Sequence, residues 1–106
     1  MKAINDHHWE SVRHHFPEEN PRLRRNGRKP VPSRYILDAV LWVLNSGARW
    51  HMLPKHYPNY KTVHRRLQQW CHNEGLREVL IRFAHELKSE GLICERKCKI
   101  EQMFGR

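Results

Sequence analysis

The sequence lacks most of what a secreted, membrane-bound or metal-stapled protein is built from. Its longest apolar run, Ala39 to Leu44, falls far short of the roughly 18 residues that a membrane span needs. The N-terminus MKAINDHHWE has no apolar core of the kind found in a secretory leader, which points to the cytoplasm. Three cysteines, Cys71, Cys94 and Cys98, are an odd number, which argues against a disulfide framework and fits a reducing compartment. Cys94 and Cys98 have no second ligand pair at a finger spacing, so ordinary thiols are expected and no metal. A phosphate-cradling glycine loop and a nucleophile elbow are both missing. The pairs His7–His8 and His14–His15 have no matching acid or nucleophile, and Glu74, Glu78, Glu86 and Glu90 fall on charge-balanced helix surfaces. No catalytic residue and no cofactor are therefore expected.

Acid is the most unevenly missing ingredient. Twenty Lys and Arg against eleven Asp and Glu leave a net charge of +9 on 106 residues. Between Asn20 and Asn73 stand eleven basic residues and a single acid, Asp38, whereas beyond Glu74 the two signs nearly balance. A basic block inside a chain long enough for one small core, rather than in a loose tail, implies a polyanionic partner. Double-stranded DNA is the expected partner, and no membrane is.

The hydrophobic pattern is helical throughout. Asp6 to Phe16 carries a stripe of Trp9, Val12 and Phe16, with Asp6 as the expected N-cap and Pro17 as the stop. Four prolines and a glycine between Pro17 and Ser33 predict a loop or extended arm. Ser33 opens a helix that is apolar on nearly every side from Ile36 to Leu44, which makes it central, and Gly47 ends it. A short turn at residues 48–53 leads to the helix NYKTVHRRLQQW, with Gly75 expected to end it. Leu76, Val79, Leu80, Phe83 and Leu87 then mark a last long helix that stops at Gly91. The tail reads as a short strand or as nothing regular. All four tryptophans are expected in or against the core. The predicted fold class is all-α: a small bundle of four to five helices containing a helix-turn-helix, with an irregular or strand-like C-terminal stub.

Residues 59–70 carry the functional signal. Tyr60, Val63, Leu67 and Trp70 share one face at helical spacing, and the opposite face offers Lys61, Thr62, Arg65 and Gln69. These are the donors that reach base edges and phosphates when such a helix enters a major groove. Arg66, at the border of the apolar stripe, is expected to reach a phosphate. A solvated helix face normally mixes both signs, yet no acid occurs from Asn59 to Asn73. Arg22, Arg24, Arg25, Arg28 and Lys29 form a basic arm that is expected to lie along the DNA backbone or in the minor groove.

Gly27-Arg28 with Pro30, then Trp42, Leu44, Gly47, Trp50 and Leu53-Pro54, then Tyr60, Thr62, Arg66, Trp70 and Gly75 form a spaced pattern. Over roughly residues 9 to 101 this pattern resembles the N-terminal helix-turn-helix domain of bacterial insertion-sequence transposases of the DDE class. The resemblance implies recognition of the terminal inverted repeats of a mobile element. It also implies two segments: a helical DNA-binding part over 1–92, and over 93–106 the truncated start of a missing catalytic domain. Where such relatives read GLIDE followed by FIDAT, this chain reads GLICERKCKIEQMF, with Glu101 in the place of the first catalytic aspartate. A DDE site needs three carboxylates to hold two metal ions about 3.5–4 Å apart. The resemblance therefore implies DNA binding without strand transfer, in a nucleoid-associated cytoplasmic protein. Full-length transposase or a homo-oligomer is the further partner it implies. The readings left open are a stand-alone regulator and the first part of a frameshifted active transposase.

Overall fold

A computed structural model describes residues 4–16, 31–93 and 100–105. Helix α1 spans Asp6–Val12 and runs into a 3-10 turn, Arg13–His15. Helix α2 is Ser33–Ser46 and is followed by a second 3-10 turn, Trp50–Met52. Helices α3, Tyr60–His72, and α4, Glu74–Ser89, follow almost without a break, and α5 covers Ile100–Gly105. All regular elements among the described residues are helical, as the hydrophobic pattern predicts.

Helix α2 is the centre because it has almost no polar side to offer water. Ile36, Leu37, Ala39, Val40, Leu41, Val43 and Leu44 are all buried, and α3 packs along it. Gly47 ends α2 with φ 71°, a left-handed conformation open to a residue without Cβ, and its N–H reaches the Val43 carbonyl at 3.0 Å. The sequence continues into α3, whose Val63, Leu67 and Trp70 face inward, and then into α4, which buries Leu76, Leu80, Phe83, Ala84 and Leu87. Gly91 closes α4 in a Schellman arrangement, with φ 76° and the Leu92 N–H on the Leu87 carbonyl at 2.9 Å.

Two boundaries differ from expectation for a capping reason, and the tail differs because its apolar face is buried. Asn5, not Asp6, caps α1: its Oδ1 accepts the His8 N–H at 2.8 Å, which leaves the Asp6 carboxylate for Arg34 at 2.7 Å. Helix α3 stops at His72, three residues before the expected glycine. Asn73 takes an extended conformation there and its Oδ1 accepts the Leu76 N–H, so one residue ends α3 and starts α4. Gly75 consequently lies inside the first turn of α4. At the other end of the chain, the expected irregular or strand-like stub is helical over Ile100–Gly105. Ile100 and Phe104, four apart on one face, are buried against α4.

An aromatic cluster joins α1 to α3. Trp9 stacks on Phe16 at 5.6 Å between ring centres, and Phe16 meets Trp70 at 4.5 Å. Of the four tryptophans Trp70 is fully buried; Trp9 and Trp50 are half-buried against the core, and half-buried Trp42 approaches Tyr57. The segment before α1 is latched to α2. The Ile4 N–H donates to Asp38 Oδ1 at 3.0 Å, and Arg34 donates to the Ile4 carbonyl at 2.9 Å. His8, expected to have no acidic partner, meets Glu90 of α4 at 3.6 Å.

Two outcomes follow from this packing. Phe104→Ala removes a fully buried ring from the α4–α5 contact and should cost about 3 kcal/mol or more, lowering Tm by at least about 10 °C in a thermal melt. An unchanged melt would show that α5 is not part of the core. Half-burial pushes the Asp38 carboxyl above its ordinary range, against the lowering effects of the Ile4 N–H and Arg34. A raised folded pKa means that ionisation weakens the fold as pH climbs from the unfolded value through the folded one. Asp38→Asn should therefore raise Tm at pH 7, with the gain shrinking to nothing once the pH falls below the unfolded carboxylate value, as a pH series of melts would record.

Candidate nucleic-acid interface

Helix α3 is presented by its own cap. The Asn59 side chain accepts the Lys61 N–H at 2.8 Å, satisfying one of the first free amides and starting the helix after the prolines at 54 and 58. From that start the 3.6-residue period sets the faces. Burial of Val63, Leu67 and Trp70 turns Lys61, Arg65 and Gln69, each four residues apart, to solvent as one row. Thr62 is half-buried on the flank of that row, and Gln68 is exposed on the other flank. Lys61, Thr62, Arg65 and Gln69 are thus brought together on one helix as the pattern predicts.

Arg66 is not with them. It is 8% exposed, and its Nη2 donates to the Val31 carbonyl at 3.0 Å, 35 residues away in the chain. The expectation that it reaches a phosphate is corrected: position 66 falls between the inward residues Val63 and Trp70, and the guanidinium anchors the segment entering α2. Arg22, Arg24, Arg25, Arg28 and Lys29 lie outside the described residues.

The segment between α2 and α3 adds exposed groups that helix-face reasoning passes over, namely Arg49, His51, Lys55 and His56. Their signal was in the sequence, since no acid occurs from Ala39 to Asn73. Asp38, the one acid of the basic block, is half-buried and turned to the Ile4 N–H of the N-terminal latch. Its Oδ1 therefore serves the latch as an acceptor. Among the described residues no group of three or more His, Cys, Asp or Glu side chains converges as metal ligands would. No described helix is long and apolar enough to cross a membrane.

Comparison with known proteins finds one family and two relatives. The family described as "Putative transposase of IS4/5 family" matches residues 4–80, which include α1, α2, α3 and the first half of α4. An uncharacterized protein, y4sN, of Sinorhizobium fredii is 34% identical over 93 residues, covering 88% of this chain and 72% of its own. The insertion element IS402 uncharacterized 16.2 kDa protein of Burkholderia cepacia is 37% identical over 70 residues, covering 63% of this chain and 48% of its own. The chain thus spans about half the length of the second relative. No solved structure matches.

The two neighbouring arginines of α3 should behave differently under substitution. Arg66→Ala leaves the half-buried Val31 carbonyl without its donor and removes a buried guanidinium, a loss of about 1–3 kcal/mol that thermal or urea melts would register. Arg65→Ala, on the exposed row, should change stability by no more than about 0.5 kcal/mol. Equal losses for the two would contradict the burial assigned to Arg66.

Proposed function

The chain belongs to the IS4/5 transposase family, and from that premise we propose that it binds double-stranded DNA at the terminal repeats of an insertion element. The observation that carries this reading is the row Lys61, Arg65 and Gln69 on α3, exposed and set in a stretch, Ala39 to Asn73, that holds no acid. A helix that displays one guanidinium, one ammonium and one amide along a single line matches the donor–acceptor edges of consecutive bases in a major groove. Arg65 is suited to the paired acceptors of guanine, Gln69 to the donor and acceptor of adenine, and Lys61 to guanine or to a flanking phosphate.

Around that row the basic loop supplies contacts that carry no sequence information. Arg49 and Lys55 precede α3 in the order that a helix-turn-helix uses to bridge the DNA backbone. The arm from Arg22 to Lys29 extends the same charge. In this reading the chain recognises and holds the element end, and strand transfer is not its own chemistry.

Fluorescence anisotropy with a duplex of the element's terminal repeat and a scrambled duplex tests the reading. Arg65→Ala and Gln69→Ala should each remove about 1–3 kcal/mol of preference for the repeat. Arg24→Ala should weaken both duplexes alike and flatten the salt slope by about 0.9. Equal affinity of the unaltered protein for both duplexes at physiological salt would sink specific end recognition.

A further inference from the structure

Next to the exposed row of α3 runs a second one, His64, Gln68 and His72, again four residues apart. This row forms one wall of an open cleft of about 600 Å³, closed by Trp50 from the 3-10 turn, Arg77 from α4 and Phe104 from α5. The volume lies within the roughly 300–1,000 Å³ of small-molecule sites. No Asp or Glu lines the cleft among the described residues.

Three features define what would fit. The rings of Trp50 and His64 stand 5.2 Å apart at 48°, giving an aromatic wall. A planar ligand parting them would need about 7 Å, two contact distances, so it lies against them and not between them. Arg77 supplies the charge: its Nε is fully buried, without a hydrogen-bond partner, and partial burial raises the pKa of the half-buried Cys71 thiol although the Arg77 charge opposes the rise. Gln68, exposed at the rim, offers an amide whose donor and acceptor match a heterocycle edge. An aromatic wall, a rim amide and a cation with no carboxylate among the described lining residues suit a flat heterocycle joined to a phosphate.

We propose that this cleft takes one unstacked nucleotide of the DNA held on α3, its base against Trp50 and His64 and its phosphate near Arg77. The proposal rests on the DNA-binding reading above. Position argues for DNA over a free nucleotide, because the cleft-lining row and the exposed row are adjacent ridges of the same helix. A nucleotide leaving the stack beside the Lys61–Arg65–Gln69 row would meet the cleft directly. The cost of unstacking is least for a base that is already unpaired, which decides the choice of probe.

The test compares a short paired duplex of the element's terminal repeat with the same duplex carrying one bulged 2-aminopurine, and adds thymidine 5′-monophosphate as a free nucleotide. The unaltered protein should prefer the bulged duplex by about tenfold, within what stacking one base on an aromatic side chain contributes, with a change in 2-aminopurine emission. Arg77→Gln and His64→Ala should abolish the preference while leaving affinity for the paired duplex within about twofold, the change expected when no phosphate contact of the α3 face is lost. Circular dichroism would show that both variants keep the fold. Equal binding of bulged and paired duplexes overturns the cleft proposal and leaves the duplex reading standing. Binding of the bulged duplex alone supports the cleft and overturns duplex recognition, and binding of neither overturns both. A preference that survives in both variants also overturns the proposal. So does monophosphate binding as tight as that of the bulged duplex, which would assign the cleft to a free ligand.

Discussion

Burial of Trp70 against Phe16 sets the roll of α3, and with it the surface that the molecule offers. The two rings meet at 4.5 Å, Phe16 stacks on Trp9, and both Trp70 and Phe16 are 1% exposed. An aromatic side chain buries about 150–250 Å², worth about 4–6 kcal/mol as an upper estimate at 25 cal/mol per Å². Interactions between neighbours on the exposed face are worth about 0.2–0.5 kcal/mol each. The core therefore decides how α3 is turned, and Lys61, Arg65 and Gln69 face outward because Val63, Leu67 and Trp70 face inward.

The same packing sorts the basic residues into two groups. Arg34 and Arg66 both donate to carbonyls outside the helices, those of Ile4 and Val31, and so hold the chain entering α1 and α2. Arg34 also pairs with Asp6. Internal carbonyls away from regular structure need donors, and a long guanidinium can reach them while its stem packs among apolar side chains. These two arginines contribute to the net charge but not to the exposed row of α3. The single acid of the basic block is likewise taken up by the N-terminal latch, so the loop and face around α3 present one sign of charge.

Much of the fold was legible in the sequence, and the misses have common causes. Helices α2, α3 and α4 follow from apolar periodicity, and Gly47 and Gly91 stop their helices in the left-handed conformation that such positions favour. Caps were harder to place. Asn5, Asp6, Asn73 and Gly75 are all plausible cap or stop residues, and the backbone path decides which of them the terminal amides meet. The tail read as a strand or as nothing because its apolar residues are few; the face of α4 is what gives Ile100 and Phe104 a place to be buried.

The candidate site divides along the same line. Sequence alone determined the excess of base between Asn20 and Asn73, the two faces of α3 and the family resemblance, because charge and periodicity are properties of neighbouring residues. Tertiary structure decided that Arg66 turns inward while Arg65 stays in solvent, since its carbonyl partner lies 35 residues away. It also decided that His8 meets Glu90, and that Trp50, His64, Arg77 and Phe104 enclose one cleft. Those juxtapositions join residues from separate elements and segments, and no local pattern encodes them. They exist because burying the apolar faces of α2, α3 and α4 against one another leaves the remaining side chains few places to go.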